Sequence, residues 1–322
     1  VVGRGRRRNG VLAAVGVVGG VAGGRTRWLQ PLLGGLPVDP EPLPYWLGAG
    51  AIALLSPVFD AALAARLPFA LLLALTLAAT WYACFHLART EAAQPVAFAF
   101  GGEAAPVDYA RAMADGALLA LIASLGLLQL GHETTPELMQ LFGASLVFWA
   151  LAAAPFRGWR ARAGVVGGLL VLSASGAPAV ALGLAAAGAL ICGRSQYDAA
   201  RRSVPWIVLG GLLAAGVASL FGIWRWRAGF EPSAAQLVQI GRQWLWFLWP
   251  AWPLALWTVW RWRHQWTNRH VSLPLALAGI GIAANVWMGG HDRALMLALP
   301  GFAVLAAFAL PTWRRSVAAA VD

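Results

Sequence analysis

At 322 residues the chain is 60% hydrophobic and 11% charged, with a mean hydropathy of +0.66, values that exclude an ordinary soluble globular domain. Its formal charge of +11 comes from 24 basic residues. All of them are Arg, set in short clusters between apolar runs rather than gathered on one soluble face, which excludes a nucleic-acid-binding domain.

Residues 1–24 form a basic, then weakly apolar, N-terminal segment (Val2–Arg8 followed by an Ala/Val/Gly stretch) without a clear cleavage site. Since the chain begins at Val1 and stops after Ala318–Asp322, we expect a piece of a longer polypeptide. Residues 25–311 carry the apolar runs and read as the transmembrane domain, with 312–322 as a tail.

The first polar connection runs from Arg25 to about Tyr45. Five Pro between residues 31 and 44 exclude a regular helix there, and Asp39 and Glu41 lie on the approach to the next apolar segment. That segment, 46–58, is too short for a span, so a partly buried juxtamembrane helix starting near Tyr45 is expected. Further runs follow near 68–88, 116–130, 138–155, 163–193, 205–224, 244–260, 272–289 and 295–311. None alternates with period two, so they are helices rather than barrel strands. Asp115 stands at the head of 116–130 as a helix N-cap. The 163–193 run divides into two short helices hinged at Ser173–Pro178. The expected fold class is all-α: a polytopic transmembrane helical bundle of about eight to ten helices.

The Arg clusters set an orientation. Phe156–Arg162, Arg201–Arg202, Arg261–Arg269 and Arg314–Arg315 are expected in the cytoplasm. Gly131–Glu137, the Ser173–Pro178 hinge, the loop of about 225–243 and Gly290–Arg293 then fall on the external side. Trp244, Trp246, Trp249, Trp252, Trp257 and Trp260 read as an interfacial aromatic belt. Cys84 and Cys192 sit inside apolar helices and the five His are scattered with no HExxH or CxxC spacing. No metal and no resident cofactor is therefore expected.

Pro40-Glu41-Pro42-Leu43-Pro44-Tyr45-Trp46-Leu47, then Ala65-Arg66-Leu67-Pro68-Phe69-Ala70, resembles the KPPLYYW and ARLPSAL motifs of the C-type membrane glycosyltransferases, the superfamily of protein mannosyltransferases and aminoarabinose transferases. Tyr109-Ala110-Arg111 with Asp115 is similar to the family's YAR…D. Gly168–Pro178 resembles its GLAxLTKGP hinge, and Asp292–Pro300 its RYLLPxLP run. The resemblance covers roughly residues 28–311, in the right order.

That resemblance implies transfer of a sugar from a polyprenyl-phosphate carrier to an acceptor hydroxyl, on the external face of a multi-pass protein of the bacterial inner membrane. The partners it implies are the lipid-linked sugar, membrane lipid and the acceptor, with no nucleic acid. It needs a carboxylate to take the acceptor's proton and cations for the departing phosphate. Asp39 and Glu41 are the candidate catalytic carboxylates, and Arg293, with Arg225, Arg227 and Arg242, the candidate lipid-phosphate ligands, because a guanidinium engages phosphate oxygens in pairs. Asp115 and Tyr45 are further candidates by motif position.

The departures are specific. The family's catalytic Asp lies upstream of the KPPL-like motif, where this chain has no acidic residue before Asp39, and both family lysines are missing because Lys is absent altogether. Residues 89–115 are polar where the family has another helix, and the charge pattern puts them in the cytoplasm although the family places its counterpart of Asp115 outside. A fragment lacking the first helix and catalytic loop, inactive by the family's usual route, or a divergent member with altered activity, is the expectation. The alternatives are a transporter or flippase, for which mid-membrane charges and internal repeats are lacking, and a non-catalytic scaffold of the same fold.

Overall fold

The sequence folds, in the computed structural model, through residues 32–33, 36–37, 41–94, 105–224 and 233–312, which are the residues described. Leu32–Leu33 and Leu36–Pro37 form a two-residue antiparallel ladder. All other regular structure among the described residues is helical. In chain order the helices are α1 (Pro42–Leu55), α2 (Ala61–Ala88), α3 (Pro106–Ala123), α4 (Leu125–Leu130), α5 (Pro136–Ala174), α6 (Pro178–Gly193) and α7 (Asp198–Arg201). After them come α8 (Val204–Leu220), α9 (Ala234–Phe247), α10 (Ala251–Arg261), α11 (Arg269–Trp287), α12 (Asp292–Leu295) and α13 (Leu299–Ala309). Among the described residues five helical stretches are long and apolar enough to cross a membrane: 61–88, 136–174, 198–220, 269–287 and 292–312.

The longest of them is not one rod. At Gly158 the backbone turns to φ +43°, and Gln140 near the start of α5 donates to the carbonyl of Ser175 just past its end at 2.6 Å. Its two legs, 136–157 and 159–174, therefore run antiparallel. The turn carries Arg157, Arg160 and Arg162, the polar punctuation between the 138–155 and 163–193 runs. The second expected break also occurs: α5 ends at Ala174 and α6 begins at Pro178, with Gly176 at φ +97° between them. Pro178 stands in the first turn of α6, where its missing N–H has no intrahelical partner to lose.

α13 is buried along its whole length, Leu299 to Ala309. A helix apolar on every side has no polar face to turn outward and takes the centre. Around it pack α3, α10 and α11, where the Thr258 hydroxyl of α10 donates to the Leu305 carbonyl at 2.7 Å. The outer helices behave oppositely. Leu63, Leu67, Leu71 and Leu75 make an exposed stripe on α2, and Leu209, Leu212, Leu213 and Leu220 are exposed on α8. Apolar surface of this extent calls for lipid rather than water, and the chain is a multi-pass helical membrane protein.

α1 starts at Pro42 and has 14 residues, about 21 Å of helix against a hydrocarbon core of about 30 Å. It is shorter than a straight crossing requires, in line with the length of its apolar run. Three readings of the sequence are corrected. The stretch near 225–243, expected as loop, becomes helix α9 from Ala234 onward. Its apolar residues recur on one face, a 3.6-residue pattern concealed by its low overall hydrophobicity. The 244–260 run is divided between α9 and α10 by Leu248–Pro250, because Pro250 supplies no N–H and disfavours helix in the residue before it. Finally, Asp115 caps nothing: α3 begins nine residues earlier at Pro106, with Ala105 as its N-cap.

Candidate functional site

The polar contacts sort the helix ends into two sets. Arg89 lies over the rings of Phe85 and Phe156, His86 stacks on Phe156, and Phe156 meets Tyr197. Arg269 at the start of α11 donates to the Leu151 carbonyl, and Arg201 to that of Ser195. The end of α2, the Gly158 turn, the α6–α7 corner and the start of α11 thus share one end, which is rich in Arg. The α5–α6 hinge, the 131–135 segment, α9 and Asp292–Arg293 lie at the other.

At that second end the carboxylates gather. Arg293 donates to Glu133 at 2.9 Å and approaches Glu137 to 3.8 Å, with both carboxylate side chains 14% exposed and the guanidinium 33%. Oε2 of Glu137 is buried and accepts no hydrogen bond. One turn along α5 from Glu137, the buried Gln140 reaches the hinge carbonyl of Ser175. Glu41 abuts the same hinge: a Cβ built on Gly176 would stand 2.6 Å from its Oε1. A polar strip thus runs from Glu41 across Gly176, Ser175 and Gln140 to Glu137, Arg293 and Glu133. The carboxylate of Glu41 also lies near the N-terminus of α6, where a helix favours negative charge.

Beside this strip α9 is fixed by side-chain amides. Gln243 donates to Asp292, Trp244 to Asn285 at 2.8 Å, and Asn285 in turn to the carbonyl of His291 at 3.0 Å. The outer side of α9 borders an open cavity of about 950 Å³ lined by Arg242, Gln239, Asp292, Leu125, Trp246 and Trp249 among others. Among the described residues no carboxylate comes within ion-pairing distance of Arg242. A cation amid Trp and aliphatic groups, open on one side, has the makings of a seat for an amphiphile's anionic head.

Of the candidate residues, Glu41, Arg293 and Arg242 lie at this one end, and Tyr45 stands in the first turn of α1 just after Glu41. Asp39, Arg225 and Arg227 lie outside the described residues. Asp115 does not join the site. It sits inside α3, accepting from Trp81 of α2 at 2.7 Å, while Cys84 and the Met113 carbonyl meet in the same antiparallel register. That register sets the start of α3 at the Arg-rich end, in agreement with the charge pattern of residues 89–115. Sequence reasoning passed over Glu133 and Glu137, whose signal was an i, i+4 carboxylate pair at the head of an apolar helix. Arg293 pairs with them and not with its neighbour Asp292, which the Gln243 amide occupies.

No protein-family model matches the chain, and neither a curated protein nor a solved structure matches it.

Proposed function

We propose that this chain is a membrane glycosyltransferase working at the carboxylate-bearing end of the bundle, with a polyprenyl-phosphate-linked sugar as donor. The observation that carries the reading is the placement of Arg293, between Glu133 and Glu137 and next to the Asp292 that borders the Arg242 cavity. Glycosyl transfer from a phosphate needs a carboxylate and a cation within one small space. In this reading Arg242 and Arg293 hold the phosphate and the isoprenoid lies against Trp246 and Trp249. Glu137, whose Oε2 lacks a hydrogen bond, takes the proton from the acceptor hydroxyl, a role open also to Asp39 and Glu41. The bond between the anomeric carbon and the phosphate oxygen breaks as that hydroxyl attacks, and the phosphate leaves on its carrier.

The non-catalytic scaffold is the second reading. It is favoured by Arg293 being already engaged by Glu133 at 2.9 Å, which leaves less of its charge for a phosphate. Proteoliposomes given a radiolabelled polyprenyl-phosphate sugar, with envelope extract as acceptor, separate the two. The transferase reading expects turnover that Glu137→Gln or Glu41→Gln lowers at least about 100-fold, the usual contribution of a general base. Absence of turnover together with retained carrier binding would establish the scaffold instead.

A further inference from the structure

Among the described residues, several guanidinium groups at the Arg-rich end have no carboxylate partner. Arg111 pairs with Asp108 and Arg201 with Asp198, both exposed. Among the described residues no carboxylate pairs with Arg157, Arg160, Arg162, Arg263 or Arg269. Two of these are also short of acceptors inside the fold: Nε of Arg162 and Nε of Arg269 are buried without a hydrogen-bond partner, and Arg269 is only 6% exposed. A buried donor without an acceptor is costly, and Arg269 turns its other donors inward to the Leu151 carbonyl and the Cys192 sulfur, so the outward charge at this end is carried by the exposed Arg157, Arg160 and Arg263.

The aromatic residues at the same end give the missing acceptor its setting. Arg160 lies 5.8 Å from the ring of Trp159, and Arg263 5.0 Å from that of Trp260. Both rings are themselves outward, Trp159 at 71% exposure and Trp260 at 56%, with Trp266 close by in sequence at 54%. Outward Trp bodies carrying guanidinium groups match the chemistry of a headgroup layer, where the ring enters the acyl boundary and the cation meets phosphate. They fit water poorly, and an acidic protein surface would give such rings no apolar layer to enter.

We infer that this end binds anionic glycerophospholipid headgroups, with the Trp159–Arg160 and Trp260–Arg263 pairs as the principal contacts. The site lies at the opposite end of the bundle from Arg242 and Arg293 and is independent of the proposed transferase reaction. Net attraction by unpaired Arg favours an anionic lipid over a zwitterionic one, and each Arg at such a surface strengthens binding about fivefold at physiological ionic strength.

The test uses the purified full chain reconstituted in equal phosphatidylglycerol and phosphatidylcholine, released into mild detergent and analysed by native mass spectrometry for bound lipid. Phosphatidylglycerol is expected to be retained over phosphatidylcholine, and Arg160→Gln or Arg263→Gln to cut that preference about fivefold each. Binding of polyprenyl phosphate should stay unchanged in both variants. Both residues are exposed surface positions, and unchanged helical circular dichroism verifies the fold. Equal retention of the two lipids would overturn the inference. So would a phosphatidylglycerol preference that survives both substitutions but is lost in Arg242→Gln, which would put the lipid at the other end. Displacement of the lipid by polyglutamate at equimolar acid would assign the surface to an acidic protein partner instead.

Discussion

Gly158 and Gly176 do the same geometric task at opposite ends of the molecule. Each turns the second leg of α5, and each has a positive φ, +43° and +97°. Their surroundings differ completely. A Cβ on Gly158 would meet nothing within 4 Å, whereas one on Gly176 would run into the Glu41 side chain at 2.6 to 2.8 Å. The Arg-rich end is an open surface whose charges look outward for partners. At the carboxylate end the strip from Glu41 to Glu133 is packed, its side chains set against one another and against the backbone, and only the outer side of α9 opens onto a cavity. One bundle thus has an end suited to lying on something and an end suited to holding something, and the two are open to separate tests.

The largest effect expected is all-or-none. With the buried Cys84 and Cys192 replaced by Ala, a single cysteine at His132 and one at Trp159 should label from opposite faces of sealed vesicles, the second from the cytoplasmic side. Labelling of both from one face would break the division into two ends.

A large effect is also expected at the hinge. Gly176→Val puts a branched residue where φ is +97° and pushes on Glu41, so we expect a loss of about 3 kcal/mol or more from backbone strain and overpacking combined. Gly158→Ala carries only the conformational part, about 1 to 3 kcal/mol. Thermal unfolding in detergent measures both. Equal shifts would mean that Glu41 yields freely and that the hinge is as open as the turn.

Arg293→Met is expected to cost about 3 kcal/mol, because it leaves two largely buried carboxylates without their cation. Unlike the glycine changes, it should be partly rescued by Glu133→Gln in the same chain. Failure of that rescue would show that Arg293 is anchored by something other than Glu133.

The features visible in the sequence were those that interrupt hydrophobicity. The Arg cluster at 157–162, the Ser173–Pro178 hinge and the Pro-rich entry to α1 each stop an apolar run with residues that lipid excludes or helices reject, and each break is found where it reads. Three other features left no such mark. α9 is amphipathic and only weakly hydrophobic, so an average over composition reads it as loop. Asp115 lies among apolar neighbours and looks like a boundary. Inside α3 it accepts from the indole N–H of Trp81, 34 positions away in sequence. The pairing of Arg293 with Glu133 spans 160 positions, and no local pattern encodes it. In a chain this apolar, every buried charge needs a partner, and the sequence reveals the need without revealing the partner.

The smallest effect sharpens the comparison most, because it sets like against like. Arg201 with Asp198 and Arg293 with Glu133 are both Arg–carboxylate pairs, one at each end. The first joins residues three apart on one helical turn, with side chains 51% and 65% exposed. The second joins distant segments, with side chains 33% and 14% exposed. In the exposed pair the attraction acts through water and is screened by salt, while both side chains lose freedom to form it. Asp198→Asn should therefore cost at most about 0.5 kcal/mol, and a double-mutant cycle with Arg201→Gln should give a coupling of similar size that fades in 0.5 M salt. The same cycle on Glu133 and Arg293 should give a coupling of about 1 to 3 kcal/mol that salt hardly alters, since ions do not enter between the groups. If the two couplings and their salt dependences coincide, the carboxylate end is as wet as the Arg-rich one. A wet site would not strengthen electrostatic contacts to a phosphate, so the proposed transferase site would lose its physical basis while the lipid-binding surface at the opposite end would keep its own.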